Sequence, residues 1–144
     1  MREAMRDAKI EPSDIDYINA HGTSTPLNDE RETMAIKQVL GEHAYKIPIS
    51  STKSMVGHLL GGAGAIGTAV AALSIYNQKV HPTINLNSPD PICDLDYVPH
   101  KCRDAKIKYA MVEALGSGMT AATADKAEGV AAFRAKRKPR FPGG

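Results

Sequence analysis

Two of the five histidines occupy positions that favour chemistry. His21 follows the apolar segment DIDYINA and precedes Gly-Thr-Ser-Thr, whereas His58 follows the polar stretch SSTKSMVG and precedes a run rich in Gly and Ala. If the apolar segments before them are strands, both side chains lie beyond carboxyl ends of strands, where the sites of open α/β sheets gather. Neutral imidazoles at such a place can donate N–H bonds to a developing oxyanion. The sequence therefore predicts a site that contains His21 and His58.

Three glycines match the spacing of a dinucleotide-binding fingerprint, Gly62-x-Gly64-x-x-Gly67. That fingerprint requires a strand directly before it and an acidic residue about 20 residues later. Here the preceding strand ends near Thr52, well before Gly62, and Asn87 stands where the acid is required. We interpret the glycines instead as the tight-packing start of a buried helix, because interior glycines cost helix propensity and need a compensating close approach.

Other constellations with known chemistry do not occur in the sequence. There is no H-E-x-x-H, no G-x-S-x-G and no glycine-rich phosphate loop ending in Gly-Lys-Ser or Gly-Lys-Thr. Cys93 and Cys102 are spaced C-x8-C, which is not a metal-binding spacing, and both fall in a proline-rich segment that is expected to be loop. No cofactor and no metal site is predicted, and neither cysteine is a candidate nucleophile.

The pattern of apolar residues predicts alternating helices and strands, which is typical of an α/β layered fold. Thr25 and Pro26 suit the N-cap and first position of a helix, and Gly41 suits its end. The predicted order is a helix over residues 1 to 9, a strand within 15 to 20, a helix over 26 to 40, a strand over 47 to 52, a helix over 59 to 77 and a strand over 106 to 111.

The composition indicates one globular domain. The chain has 144 residues and a formal net charge of +2, and the basic segment RAKRKPR at 134–140 leaves the remainder mildly acidic. The longest apolar run, residues 59 to 76, is interpreted as a buried helix rather than a membrane span, and the charged N-terminus does not resemble a secretory signal. We expect a cytoplasmic or organellar-matrix protein without nucleic-acid or membrane partners. Binding of nucleic acid or membrane by the basic segment stays open as an alternative.

Four segments occur in a recognisable order: NAHGTSTPLND, SSTKSMVGHLLGGAGAIGTA, HPTINLNSPDP and CDLDYVP. Through them residues 1 to 111 resemble the C-terminal part of a beta-ketoacyl-acyl-carrier-protein synthase, a thiolase-like condensing enzyme of the type II fatty acid synthesis system. The resemblance implies the C-terminal half of a duplicated αβαβα layered fold. Residues 112 to 144 depart from it and are expected to form an atypical, disordered tail.

The resemblance also implies roles for individual residues. The family condenses an acyl thioester, held on a cysteine, with a malonyl group on acyl carrier protein, and releases CO2. His21 and His58 match the two catalytic histidines, Lys53 the lysine that orders the site, and Thr23 and Thr25 the threonines that hydrogen-bond the phosphopantetheine arm. The implied partners are acyl carrier protein with its phosphopantetheine-linked malonyl or acyl group, and a second subunit, since the intact family is homodimeric.

Three departures from the family pattern limit what this chain is expected to do. The nucleophilic cysteine belongs to an N-terminal half that the sequence lacks, Gly67 stands where the family has a glutamate that pairs with Lys53, and a Gly-Phe-Gly-Gly motif is missing after Met111. A frameshift after Met111 is one hypothesis for the last change. We therefore expect a condensing-enzyme fragment that is inactive alone; the alternative is a non-catalytic partner subunit resembling a polyketide chain-length factor.

Overall fold

The computed structural model describes residues 1–115, which form two layers of helix around a small parallel sheet. The helices are α1 (Arg2–Ala8), α2 (Pro26–Leu40), the single turn α3 (Lys53–Val56) and α4 (Ala63–Asn77); the strands are β1 (Tyr17–Asn19), β2 (Ile49–Ser50), β3 (Lys79–Val80), β4 (Arg103–Asp104) and β5 (Ala110–Val112). Short 3-10 turns cover Pro12–Asp14, Gly41–Lys46 and Leu60–Gly62.

β1 is the central strand of a parallel sheet with the order β2-β1-β5. Ile18 pairs with Ile49 on one side and with Met111 on the other. All three residues of β1 are buried, as expected for a parallel strand that is covered on both faces. The carboxyl ends of β1 and β2 therefore lie side by side, which brings the segments after Asn19 and Ser50 together.

The two faces of the sheet carry separate hydrophobic clusters. Ile18, Ile36 and Met111 belong to the cluster on the side of α1 and α2, whereas Tyr17 and Ala71 belong to the cluster on the side of α4. This helix–sheet–helix arrangement confirms the α/β layered fold predicted from the sequence. The predicted helix over 26 to 40 is also found, with Thr25 at its N-cap and Gly41 at its C-cap.

The last predicted strand begins later than its apolar pattern suggests. The segment before β5 is held by side chains instead of by a neighbouring strand: Gln78 exchanges two hydrogen bonds with the backbone of Ile107, and the Asp16 carboxylate accepts the N–H groups of Lys108 and Tyr109. β5 ends at Val112, so the predicted boundary between residues 111 and 112 falls inside this strand. The basic segment and most of the predicted tail lie outside the described residues.

The structure corrects the prediction that residues 59 to 77 form one buried helix. The helix proper starts at Ala63, after the 3-10 turn, and only 22% of the stretch Leu60–Asn77 is buried. This stretch is long and apolar enough for a membrane span by length and composition alone. However, the fifteen residues of α4 extend about 22 Å, which is shorter than the roughly 30 Å of a bilayer core.

Candidate active site

His21 and His58 meet beyond the carboxyl ends of β1 and β2. Their ring centroids are 5.5 Å apart and the rings are nearly perpendicular, with an interplanar angle of 84°. His21 is buried two residues after β1, whereas His58 lies on the exposed loop between α3 and α4. The structure thus brings together the two histidines that the sequence singled out, although they are 37 positions apart in the chain.

Glu32 fixes the backbone at His21. Its two carboxylate oxygens accept the N–H groups of His21, at 2.6 Å, and Gly22, at 2.9 Å. Glu32 is buried on the face of α2 that also carries Ile36 and Leu40. Sequence reasoning did not identify this residue, yet a signal was present, because an acidic residue four positions before Ile36 lies on the apolar face of the helix.

Backbone contacts determine which nitrogen of each histidine carries the proton. The N–H of Leu115 donates to Nδ1 of His21 at 3.2 Å, and the N–H of Leu60 donates to Nδ1 of His58 at 3.0 Å. A ring nitrogen that accepts a hydrogen bond is unprotonated, so the proton of each neutral ring resides on Nε2. Both rings can therefore act as Nε2–H donors.

The environment of His21 keeps its ring neutral. Burial lowers the pKa of His21, and the positive charge of Lys53 and the neighbouring His58 lower it further. Burial also lowers the pKa of Lys53, whereas the Glu32 carboxylate raises it. Lys53 is therefore close enough to His21 and to Glu32 for their charges to influence one another.

The position of Gly67 leaves no space for the glutamate that the family resemblance places there. A Cβ atom at Gly67 would lie 2.9 Å from Cγ1 of Val112 and 3.2 Å from Oδ1 of Asn19. By contrast, a Cβ at Gly61 would meet nothing within 4 Å, and one at Gly64 would make an ordinary contact of 3.6 Å. The predicted packing role of the glycines thus applies to Gly67, whereas a Cβ at Gly62 or Gly64 would make only an ordinary contact of 3.6 Å.

Thr23 and Thr25 line a cleft of about 760 Å³, which Ala20 and Gly22 on either side of His21 also line, although His21 and His58 themselves do not. Their hydroxyl groups are 3.1 Å apart and hydrogen-bond to each other, so the Thr25 side chain does not cap α2. Lys53 also lines this cleft, and so does the half-buried Cys93. A volume in this range accommodates an extended organic ligand.

Within residues 1–115 no group of three or more His, Cys, Asp or Glu side chains is placed to hold a metal ion. The two cysteines are not disulfide-bonded: Cys93 is half-buried and Cys102 is exposed. The chemistry available at the site is therefore hydrogen-bond donation by two imidazoles next to one ammonium group.

The family model for the C-terminal domain of beta-ketoacyl synthases matches residues 1–87. The chain belongs to the beta-ketoacyl synthase family. Members of this family are acyltransferases with a thiolase-like fold. The match includes His21, Lys53 and His58, so the residues that meet in the structure lie within the matched domain.

Curated relatives extend the similarity of this beta-ketoacyl synthase chain. It is 52% identical over 123 residues to the 3-oxoacyl-[acyl-carrier-protein] synthase 2 of Coxiella burnetii, covering 85% of this chain and 30% of the relative. It is 55% identical over 115 residues to the synthase 2 of Synechocystis sp., covering 80% of this chain and 28% of the relative. A matched stretch of 123 residues exceeds residues 1 to 111, so the similarity continues beyond Met111.

Solved ketosynthase structures share the fold. One is a type II polyketide synthase acyl-carrier protein in complex with its ketosynthase bound to the hexaketide, with a TM-score of 0.75, 52% identity and coverage of 77% of this chain and 27% of that one. Another is a beta-ketoacyl synthase from Burkholderia phymatum, with a TM-score of 0.73, 38% identity and coverage of 81% and 29%. The chain spans less than a third of the relatives that it matches.

Proposed function

We propose that this chain supplies the two-histidine part of a beta-ketoacyl-acyl-carrier-protein synthase site, for decarboxylative condensation of malonyl-acyl-carrier protein with an acyl thioester in fatty acid synthesis. The observation that carries the proposal is the pair of Nε2–H donors on His21 and His58, whose rings are 5.5 Å apart. We expect this chemistry in the cytoplasm or in an organellar matrix.

The proposed reaction uses these donors where negative charge develops. Loss of CO2 from the malonyl thioester leaves the electron pair of the broken C–C bond as an enolate, whose charge resides largely on the thioester oxygen. Two Nε2–H groups directed at that oxygen stabilise it in a site that needs little reorganisation. The carbanion then attacks the acyl thioester, a new C–C bond forms, and the cysteine thiolate departs.

Thr23 and Thr25 are proposed to bind the phosphopantetheine arm of the acyl carrier protein. Their hydroxyls line the cleft of about 760 Å³ together with Lys53. Each hydroxyl can donate one hydrogen bond and accept others, which suits the amides of an extended arm. The proposal agrees with the acyl-carrier-protein complex found for a similar ketosynthase.

The nucleophilic cysteine is proposed to come from the remainder of a synthase, which packs on α4. The exposed face of α4 carries Ile66, Leu73 and Tyr76 at positions that share one side of the helix. An apolar face of this kind calls for a protein partner. The chain spans about 30% of the Coxiella burnetii synthase, so the remaining part of that enzyme is the proposed occupant. Homodimerisation of the assembled enzyme is expected from the family.

The test is reconstitution. The chain is co-expressed with the part of the Coxiella burnetii synthase outside the matched stretch, and CO2 release and beta-ketoacyl product are measured with malonyl- and acyl-acyl-carrier protein. We expect product only when both parts are present, and a roughly 10²- to 10³-fold lower rate for His21→Ala or His58→Ala, as found when one oxyanion donor is removed. Lys46→Ala, at an exposed position on the turn Gly41–Lys46 and outside the cleft, is the control.

Two results would count against this function. A reconstituted complex that forms but makes no product would favour the non-catalytic, chain-length-factor role instead. Efficient acyl transfer by the chain alone would contradict the need for a nucleophile from elsewhere.

A further inference from the structure

A third histidine, His81, lies at the centre of a polar cluster behind the site. Its Nε2 atom is 3.1 Å from Oγ1 of Thr52, 3.2 Å from the hydroxyl of Tyr17, 3.3 Å from Oγ of Ser50 and 3.3 Å from Nδ2 of Asn19. All four neighbours are buried, with exposed fractions of 0 to 6%. Two of them lie on or beside each of the adjacent strands β1 and β2.

The hydrogen-bond roles in this cluster follow from the chemistry of its members. Nδ1 of His81 is 2.9 Å from the carbonyl oxygen of Pro82, which can only accept, so Nδ1 carries the proton and Nε2 is an acceptor. The amide nitrogen Nδ2 of Asn19 can only donate, and it also donates to Oγ1 of Thr52 at 2.7 Å. The single lone pair on Nε2 is thus an acceptor surrounded by the Asn19 amide and the hydroxyls of Tyr17, Ser50 and Thr52, each of which is able to donate to it.

The cluster lies close to the site along the chain. Asn19 ends β1 two residues before His21, and Thr52 directly precedes Lys53. We propose that His81 is a positioning residue, whose Nε2 lone pair ties the carboxyl ends of β1 and β2 together and so fixes His21 and Lys53. That this positioning serves catalysis rests on the proposed function, whereas the hydrogen bonds of His81 do not depend on it.

The surroundings of His81 favour the neutral ring. Tyr17 is the titratable group in hydrogen-bond contact with it. None of its described hydrogen-bond partners is a carboxylate, and burial lowers the pKa of His81.

The experiment measures histidine tautomers by NMR on the full chain labelled with ¹⁵N-histidine. In the unaltered protein we expect the proton on Nδ1 of His81 but on Nε2 of His21 and His58. His81→Leu removes the acceptor, so the ring signals of His21 shift and its single tautomer is lost. His81→Gln keeps an acceptor oxygen, so the His21 ring signals and its single tautomer are as in the unaltered protein. His100→Leu removes an exposed imidazole and changes neither the signals nor the tautomer of His21.

Three results would overturn the inference: an Nε2–H tautomer for His81, unchanged His21 and His58 signals in folded His81→Leu, or equal effects of His81→Gln and His81→Leu. If His81→Leu does not fold, the tautomers of the unaltered protein and the signals of His81→Gln still decide. Because no catalytic turnover is measured, failure here is distinguishable from failure of reconstitution.

Discussion

At the scale of single residues, the position of His21 depends on hydrogen bonds from residues distant in the sequence. Glu32 accepts two backbone N–H groups at His21 and Gly22, and its carboxylate raises the pKa of Lys53 against the effect of burial. The sequence could predict His21 and His58 because each follows a strand-like segment. It marks Glu32 only as an acidic residue on the apolar face of α2, and it does not show that Glu32 and the Leu115 N–H contact the segment at His21, since these contacts depend on how α2 and the chain after β5 fold back onto β1.

Glu32→Gln should destabilise the fold although it conserves shape. A glutamine amide offers one oxygen and one NH2 group, so one of the two N–H donors loses its acceptor, which costs about 1–3 kcal/mol when the group is buried. The free energy of unfolding from urea denaturation measures this loss. Glu30→Gln, two residues away on the same helix and exposed, is the matched control. Equal stability of the two variants would show that Glu32 is not needed to hold the loop.

Acidification should destabilise the chain through His21 and His81. Burial lowers the pKa of both histidines in the folded state. As the pH is lowered through about 6.5, the unfolded chain therefore binds more protons than the folded chain, and the free energy of unfolding decreases. The raised pKa of Glu113 acts in the opposite direction at lower pH. In a Glu113→Gln background, urea midpoints should therefore drop between about pH 7.5 and 5.5. Adding His81→Gln should make this drop smaller; an identical drop would argue against a neutral His81.

Among the elements, α4 shows what the apolar pattern of the sequence predicts correctly and what it does not. Its apolar composition correctly predicted a helix, but the start at residue 59 was wrong, because a 3-10 turn at Leu60–Gly62 separates His58 from the helix. The turn places Leu60 at a positive φ of 49° and directs its N–H to His58. Propensity does not indicate such a break, since the turn is stabilised by a contact to one side chain.

Gly67→Ala should destabilise α4, whereas Gly64→Ala should not. Alanine normally gains about 1 kcal/mol over glycine inside a helix. At Gly67 the added methyl group would collide with Val112, and overpacking of this kind costs about 1–3 kcal/mol. Thermal unfolding of the two variants compares identical chemistry at two positions of one helix. A combined Gly67→Ala and Val112→Ala variant should recover stability; if it does not, the collision is not the cause.

At the scale of the whole molecule, the described part of the chain has helices on both faces of the sheet, and the helix on one face, α4, exposes apolar side chains on its outer side. α1 and α2 cover one face of the sheet, while α4 covers the other and leaves its own outer side exposed, including Leu73 at 59% and Tyr76 at 84% exposure. The sequence suggested full burial, because it gives the apolar character of a helix but not which partner covers it.

Replacing Leu73 and Tyr76 together by lysine should keep the chain folded but prevent association with the rest of a synthase. Two charges on this face would be buried without partners in the assembly, at a large desolvation cost. Size-exclusion chromatography with light scattering measures complex formation with the co-expressed part. Met34→Lys, at an exposed apolar position on α2, should still associate. If the double variant associates equally well, the assembly surface lies elsewhere.

The close approach of Gly67 to Val112 constrains how this lineage could change. A carboxylate at position 67 would collide with Cγ1 of Val112 through its Cβ alone, so it is destabilising as long as Val112 is in place. Replacing Val112 by a smaller residue while Gly67 is in place leaves a void and is destabilising as well. A carboxylate therefore reaches position 67 at low cost only if positions 67 and 112 change together.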